Sequence, residues 1–362
     1  MTSSSTNRRL LATVLAAVLA LFVAACGETK SDSDSSGGSS SQASSSNASA
    51  NPEAEIKKGM KMVSMPKQLG NPYEEFEHSG VVEAAKELGG SDRIQGPTDA
   101  GASTQVPLIN SVVQQKPDAL IIAGNDPNAV APALKQAAQR GIKVVAMDSD
   151  VAPDARSVFV NQVTTQLVGQ NQVESIGKQI DYKGQIAILS ATANATNQNA
   201  WIKVMKETLK QPKYKDMKLV KVAYGDDDDQ KSFQQMQGLI QAYPDLKGVI
   251  SPTTVGVAAA ARYLSSSKDK GKVKLTGLGF PNQMRKFVKD GTVEEFQLWV
   301  PKDVGYLAGQ AAAALVAGRI TGKPGETFTA GRLGKYKIGE NGEIVLGPLT
   351  TFNKQNIDKF DF

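Results

Sequence analysis

From Met60 onward the chain alternates short apolar runs with amphipathic segments, and this alternation limits the folds open to it. The apolar run over residues 118–123 is typical of a strand buried on both faces. Apolar residues spaced as Val81, Ala84 and Leu88 predict a helix between such strands. Repeated βα units form parallel sheets with right-handed crossovers. We therefore predict an α/β fold with two similar halves, each with roughly four or five strands.

The N-terminus has the pattern of a secretory signal that ends at a lipid-attachment cysteine. The basic pair Arg8-Arg9 precedes an apolar run over residues 10–23, which is shorter than the ~20 residues that span a bilayer. Small residues come directly before Cys26, the only cysteine in the chain. This order resembles a bacterial lipobox and argues against a membrane-spanning helix or an inert buried cysteine. We predict a signal peptide over residues 1–25 and acylation of Cys26, with no disulfide.

Residues 27–50 are dominated by serine, glycine, aspartate and asparagine and contain no large apolar residue. Such a segment buries too little apolar surface to offset the entropy lost on ordering. We therefore predict that residues 26–54 are the acylated cysteine and a disordered tether, which holds the folded part at the outer face of the cell membrane.

The sequence lacks the motifs of most enzyme classes. His78 is the only histidine, so no HExxH motif or Cys/His metal cluster exists, and neither a phosphate-binding GxxxxGK[ST] loop nor a GxSxG elbow occurs. The net charge of +5 is not concentrated in a basic run. We expect no enzymatic activity, no cofactor and no nucleic-acid partner. His78 itself is predicted to lie at the surface or rim of the first helix.

Four consecutive aspartates occupy residues 226–229, between a predicted strand and a predicted helix. Calcium ligands usually alternate along the chain, as in DxDxD, so this spacing is a poor match. Acidic residues at a helix N-terminus accept hydrogen bonds from free N–H groups and interact favourably with the helix dipole. We predict the helix-terminus role and no metal site, with cation binding as the less favoured alternative.

Polar and aromatic residues follow the predicted strands, where open parallel α/β sheets bind their ligands. Carboxylates, amides and flat aromatic faces together suit a polyol. For the Asn, Asp and Thr residues the alternative is a helix N-cap role, whereas Lys67 and Trp299 are not capping types. The candidates for ligand hydrogen bonds are Lys67, Asn71, Asp126, Asp148, Asn197, Gln198 and Thr254. The candidates for stacking are Tyr73 and Trp299.

At these segments the chain resembles the periplasmic binding protein family, in its ribose-binding type I group of sugar binders. The resemblance covers nearly everything from Met60 to Phe362. The motifs that carry it are Pro66-Lys67, Gly96-Pro97-Thr98, Asp148-Ser149, Asn161-Gln162 and the C-terminal FNKQNIDKFDF over residues 352–362. Within the family, the chain is most similar to the rhamnose-binding proteins of ABC transporters, and next to the autoinducer-2 receptors of the Lsr system.

Two departures from the autoinducer-2 receptor pattern favour a rhamnose-type ligand. Asn197 stands where those receptors have aspartate, and residues 252–256 read PTTVG where they have Pro-Asp-Ala. Without the charged acceptor, recognition of the autoinducer hydroxyls should weaken. One departure points the other way. Sugar binders of this group often have two aromatics after Asn-Pro, and this chain has Tyr73-Glu74, so one stacking face is missing.

The resemblance implies two Rossmann-like lobes, joined by three hinge crossings, that close on a ligand. We place the lobes at residues 55–161 with 302–325 and at residues 162–301 with 326–362. The implied function is a monomeric, lipid-anchored substrate-binding protein that carries rhamnose or a related deoxysugar to an ABC permease. The alternatives are an autoinducer-2 receptor and, less favoured, a surface enzyme that uses carboxylates.

Overall fold

The computed structural model describes residues 49–362, in which strands and helices alternate. The strands are β1 Lys61–Met65, β2 Ser91–Ile94, β3 Ala119–Ile122, β4 Lys143–Met147, β5 Val158–Asn161, β6 Lys183–Ser190, β7 Asp216–Tyr224, β8 Leu246–Ser251, β9 Lys274–Gly277, β10 Glu295–Leu298, β11 Thr327–Thr329, β12 Lys335–Lys337, β13 Glu343–Val345 and β14 Thr350–Asn353. The helices are α1 Pro72–Glu87, α2 Val106–Gln115, α3 Pro127–Gln139, α4 Thr165–Gln179, α5 Thr196–Thr208, α6 Asp229–Ala242, α7 Thr254–Ser265, α8 Pro281–Lys289 and α9 Pro301–Ala317. The predicted signal peptide, Cys26 and the tether as far as residue 48 lie outside the described residues.

The first sheet has six parallel strands in the order β13-β5-β4-β3-β1-β2. Its central strand β3 is buried along its whole length, because helices cover both faces. Ile121 packs in the core under α1 and α9, and its neighbour Leu120 packs on the opposite face with α2 and α3. This two-sided burial is the reason that the strand reads as an unbroken apolar run.

The second sheet has four parallel strands in the order β7-β6-β8-β9. A single bridge between Leu278 and Gln297 continues it to β10, which pairs antiparallel with β14. Helix α4 packs on one face of this sheet, and α6 and α7 pack on the other. The prediction of an α/β fold with parallel sheets and two similar halves is confirmed.

The chain passes between the two sheets three times. It leaves the first sheet after β5, returns after β10 and leaves again after β13. The last passage lies between Val345 and Thr350, later than the predicted boundary at residue 325, because β13 pairs with β5 of the first sheet. A strand of three residues carries too short a pattern for its sheet to be recognised in the sequence.

Two local predictions have different outcomes. Asp228 caps α6 by accepting a 2.6 Å hydrogen bond from the backbone N of Lys231, as the helix-terminus interpretation requires. The prediction that His78 lies at the surface or rim was wrong, because α1 also packs on the first sheet, where His78 lies beside Ser64 of β1 and is only 1% exposed. Burial lowers the pKa of His78 to about 4, so the ring is neutral. Within residues 49–362, no helix has both the length and the apolarity to span a bilayer.

Candidate ligand-binding cleft

A narrow chamber lies between the two sheets, at the carboxyl ends of their strands. Its empty space, which includes solvent at the open side, is about 330 Å³, and about 30 Å³ of it is accessible to the centre of a water molecule. Its walls come from the loops and first helical turns that follow β1, β4, β6, β7, β8, β9 and β10. The lining residues are Lys67, Asn71, Tyr73, Glu74, Asp148, Asn197, Gln198, Trp201, Asp227, Pro252, Thr253, Thr254, Leu278, Leu298 and Trp299. We call this space the first chamber.

The start of α1 is built so that its first turn faces the first chamber. Asn71 caps the helix, with its side-chain oxygen 2.9 Å from the backbone N of Tyr73. Pro72 at the first helical position fixes the backbone direction. Tyr73 and Glu74 therefore point into the chamber from a rigid helix end, and both are buried.

Asp148 connects the two sides of the first chamber. It follows β4 directly and has a φ of 56°, a left-handed conformation that aspartate tolerates better than most residues. One carboxylate oxygen accepts a 2.8 Å hydrogen bond from the Tyr73 hydroxyl, and the other accepts a 2.9 Å hydrogen bond from the amide of Asn197. Because Asn197 lies on α5 beside the second sheet, this contact holds the two halves together.

Lys67 is the one cation among the residues that line the first chamber, and two carboxylates neutralise it. Its ammonium lies 3.6 Å from Asp148 and 3.7 Å from Glu74. Burial acts to lower the pKa of Lys67, but Asp148 and Glu74 together raise it above its ordinary value, so the side chain stays charged. Burial raises the pKa of Glu74 to about 7, against the opposing effect of Lys67.

The second half contributes amide and hydroxyl groups. Gln198 donates weakly to the carbonyl of Pro252 at 3.4 Å, and its buried side-chain oxygen has no donor among residues 49–362. Thr253 donates its hydroxyl to Asp227. One oxygen of Glu74 also has no donor in the part of the chain that the structure describes, so the chamber presents two open buried acceptors. A ligand that fills it must supply hydrogen-bond donors at those points, because a buried acceptor without a donor is costly.

Aromatic rings form the remaining wall. The indole N–H of Trp299 donates to the Tyr73 hydroxyl at 2.9 Å, and that hydroxyl in turn donates to Asp148. The Tyr73 and Trp299 rings meet nearly perpendicular with centroids 6.3 Å apart, and Trp201 lies 6.0 Å from Trp299. Apolar ring surface beside fixed polar groups is the combination that binds a sugar, whose C–H faces and hydroxyls need both.

Of the predicted site residues, only Asp126 lies away from the first chamber. It caps α3 by accepting 2.9 Å hydrogen bonds from the backbone N of Asn128 and of Ala129, which is the alternative role that its residue type allowed. The predicted residues that line the chamber are Lys67, Asn71, Tyr73, Asp148, Asn197, Gln198, Thr254 and Trp299. Their contact with a ligand remains a prediction.

Seven lining residues of the first chamber were not predicted as site residues, and three of them carry an acidic group or an aromatic ring. Glu74 was noticed only as a missing aromatic, although its position beside Tyr73 on the capped turn signals that it shares the site. Trp201 lies one turn after Asn197 on α5, so helical spacing could have found it. Asp227 was grouped with its neighbours as a helix-terminus acid. Its φ of 52° turns it toward Thr253, and nothing in the sequence indicates that turn. No cluster of metal-ligating residues occurs within residues 49–362.

Replacing Glu74 with glutamine should make folding stability less sensitive to pH. The pKa of the Glu74 carboxyl is about 7 in the folded protein. Between about pH 4.5 and pH 7 the folded protein therefore binds more protons at this group than the unfolded protein does. The contribution of the group to stability is lost as pH rises through that window. Glutamine mimics the protonated acid at every pH. We expect the free energy of unfolding of Glu74→Gln, relative to the parent, to rise by up to about 3 kcal/mol from about pH 5 to about pH 8.

Urea titration at the two pH values measures this difference, and His78 cancels because both proteins contain it. Glu75→Gln is the matched control, since Glu75 is the next residue on α1 and is exposed. Its free energy of unfolding should differ from the parent by the same amount at both pH values. A Glu74→Gln difference that is equally independent of pH would show that the buried carboxyl is ionised throughout.

Comparison with known proteins connects this cleft to a family. A family model described as periplasmic binding protein domain matches residues 62–320. The D-ribose/D-allose-binding protein of Pseudomonas aeruginosa is 26% identical over 56% of this chain and 64% of its own length. The D-apiose import binding protein of Actinobacillus succinogenes is 27% identical over 58% of this chain and 66% of its own length. The chain therefore spans slightly less than two thirds of these curated relatives.

Solved structures give longer matches. A sugar ABC transporter protein from Actinomyces odontolyticus is 53% identical, with a TM-score of 0.68, over 84% of this chain and 98% of that one. A solute-binding protein from Clostridium phytofermentas with bound L-rhamnose is 38% identical, with a TM-score of 0.81 and the same coverage. LsrB from Clostridium saccharobutylicum in complex with AI-2 is 25% identical, with a TM-score of 0.78, over 84% of this chain and 100% of that one.

Proposed function

Because this chain belongs to the periplasmic binding protein family, we propose that it is the extracytoplasmic substrate-binding component of an ABC importer. Its proposed ligand is L-rhamnose or a related deoxysugar, held in the first chamber between the two closing halves. The solute-binding relative with bound L-rhamnose supports this choice, at 38% identity over nearly its whole length. The relatives are binding proteins rather than enzymes, and we expect no turnover of the sugar.

The donor requirement of the first chamber carries the proposal. Glu74 and Gln198 each present a buried oxygen without a donor, and Asp148 accepts two hydrogen bonds that ligand hydroxyls can replace. A neutral polyol supplies donors at all three points. An anionic sugar is disfavoured, because Lys67 already has two carboxylate partners and Asp227 adds a third carboxylate to the lining.

The 6-deoxy group of the proposed ligand finds apolar neighbours. Leu278, Leu298 and the two tryptophans line the first chamber beside the polar groups. A methyl group placed against that wall is removed from water, whereas a hydroxyl at the same position would lose its hydrogen bonds. This contrast favours a deoxysugar over the parent hexose.

Autoinducer-2 is the second candidate ligand, and one specific observation argues for its lower rank. The Asn197 amide donates to Asp148 at 2.9 Å, so position 197 serves as a donor to a carboxylate. An aspartate there, as in the autoinducer receptor pattern, would set two carboxylates against each other and hold the site in a different state of charge. The match to LsrB in complex with AI-2, at 25% identity, keeps this candidate testable.

The remaining parts of the proposal rest on the sequence. Acylation of Cys26 would anchor the protein to the outer face of the cell membrane, and the serine-rich tether would let it reach a permease there. Closure of the two halves around the sugar would produce the form that the permease recognises. We propose that the protein acts as a monomer.

The proposal is tested by calorimetric titration of the form that lacks residues 1–48. We expect one-to-one binding of L-rhamnose with a Kd below about 10 μM, and binding of its oxidised acid, L-rhamnonate, at least about 100-fold weaker, because the acid adds a charge to a site without a free cation. D-Ribose and autoinducer-2 complete the panel. No heat with L-rhamnose but clear heat with autoinducer-2 would replace the proposed ligand by the second candidate.

A further inference from the structure

A second, larger chamber lies beside the first, between the two halves of the molecule. About 310 Å³ of it is accessible to the centre of a water molecule, and its empty space, which includes solvent at the open side, is about 770 Å³. The loop after β4 and strand β5 form one wall, and helix α5 forms the other. The connection Asn161-Gln162, through which the chain leaves the first sheet, forms its base. We call this space the second chamber.

The second chamber has a buried polar group without a partner. Gln162 is 0% exposed, and neither its side-chain oxygen nor its side-chain nitrogen has a hydrogen-bond partner within residues 49–362. A buried primary amide without any partner costs free energy that a ligand with one donor and one acceptor would recover. Sugar hydroxyls provide both functions from a single atom. The aromatic rings of Phe159 and Trp201 line the same space.

The two chambers share part of their walls. Asp148, Asn197 and Trp201 line both of them. The 2.9 Å hydrogen bond from Asn197 to Asp148 is the contact between the halves at this boundary. A glycosidic linkage that passes here can replace it, because neighbouring hydroxyls of the ligand can donate to the carboxylate and accept from the amide.

We propose that the second chamber is a subsite for an additional sugar unit, so that the protein also binds neutral rhamnosyl disaccharides that occupy both chambers. This inference rests on the proposed function, since the first unit takes the place assigned to L-rhamnose. It makes the ligand class broader than monosaccharides.

The charges of the second chamber select a neutral second unit. Its cation, Arg156, makes hydrogen bonds of 2.5 and 2.8 Å to Asp150 and a third of 2.8 Å to the carbonyl of Asn341. Arg156 is thus committed within the protein. Glu340 and Glu343 add negative charge to the lining. A phosphorylated or carboxylated sugar finds no free cation here.

Calorimetric titration of the form that lacks residues 1–48 with rutinose, a rhamnosyl-(1→6)-glucose, tests the proposal. L-Rhamnose, methyl α-L-rhamnopyranoside and D-glucose are titrated alongside. We expect the Kd for rutinose to lie within about tenfold of that for L-rhamnose or below it, and D-glucose alone to give no heat. If L-rhamnose binds and rutinose gives no heat of binding, the second subsite is overturned and the proposed function remains intact.

A larger side chain in the second chamber should weaken the binding of rutinose and leave the binding of L-rhamnose unchanged. Ala200 is a half-buried residue of α5 that lines the second chamber and not the first. We expect Ala200→Phe to weaken rutinose by about tenfold or more and to leave L-rhamnose within about threefold of the parent. Ala258→Phe is the matched control, because Ala258 is a half-buried alanine of α7 that faces a different groove. It should change neither affinity.

Gln162→Leu keeps the side-chain size and removes the amide. We expect it to weaken rutinose by about three- to tenfold with no change for L-rhamnose. If Ala200→Phe weakens the binding of both sugars equally, the Gln162→Leu variant distinguishes the two explanations. An unchanged affinity of Gln162→Leu for rutinose would overturn the subsite. The protein could also bind rutinose, lose that binding in Ala200→Phe, and not bind L-rhamnose at all. This result would support the subsite and overturn the assignment of L-rhamnose as a ligand. Silence from both sugars overturns both proposals.

Discussion

The Asp148→Asn variant should lose L-rhamnose binding by about 100-fold or more while it stays folded. A hydrogen bond to a charged group contributes about 1.5–3 kcal/mol, and we propose that the Asp148 carboxylate accepts from two ligand hydroxyls. The substitution also turns one acceptor into a donor that faces the donors of Tyr73 and Asn197. The substitution also weakens the direct contact between the two halves at Asn197.

Asparagine is the substitution that isolates this effect. Asp148 has a φ of 56°, and asparagine tolerates that left-handed conformation, whereas alanine would add backbone strain. Lys67 keeps Glu74 as its partner, so no buried charge is left without a counter-charge. Circular dichroism and the midpoint of urea unfolding should therefore remain close to those of the parent.

Asp126→Asn is the matched control for the Asp148 variant. Asp126 also follows a strand of the first sheet, but it caps α3 and lies away from both chambers. Asparagine is an equally good N-cap, so stability and affinity should both remain unchanged. If Asp148→Asn binds L-rhamnose within about threefold of the parent, the first chamber is not the ligand site.

The sequence predicted the fold best where strands are long and buried. β3 lies within the predicted run over residues 118–123, because that run is apolar and covered by helices on two faces. The edge strand β2 is largely exposed and carries no such pattern, and β11 to β13 have three residues each. Their pairing depends on tertiary contacts that no local pattern encodes. β5 was not predicted. Its four residues are buried, and the apolar run Val158–Val160 could have indicated a strand there.

The site was predicted by one rule, that parallel sheets bind ligands at the carboxyl ends of their strands. The rule brought Lys67, Asp148 and Trp299 to one chamber because the carboxyl ends of β1 and β4 in the first sheet face the end of β10 beside the second sheet. It failed for Asp126, since a residue type that suits both a cap and a ligand contact is assigned only by its three-dimensional neighbours. It was silent about the second chamber, because that chamber lies at the carboxyl end of β5, a strand that was not predicted.

The Gly305→Ala variant should lower the free energy of unfolding by about 3 kcal/mol or more. Helices α1 and α9 approach so closely that a Cβ at Gly305 would lie 1.9 Å from the carbonyl oxygen of Glu77, and a Cβ at Gly80 would lie 1.9 Å from the carbonyl oxygen of Lys302. These obstacles are backbone atoms, so no rotamer change relieves them and the helices must separate.

Separation of these helices should also weaken ligand binding, because both position the first chamber. The first turn of α1 carries Tyr73 and Glu74, and α9 begins two residues after Trp299, whose indole N–H donates to the Tyr73 hydroxyl at 2.9 Å. Urea denaturation measures the stability and titration with L-rhamnose measures the affinity. Gly238→Ala is the matched control, since Gly238 lies inside α6 with nothing within 4 Å of its Cβ position, and there alanine should stabilise by about 0.5–1 kcal/mol. Equal effects of the two substitutions would mean that helix propensity, and not the contact of α1 with α9, governs both positions.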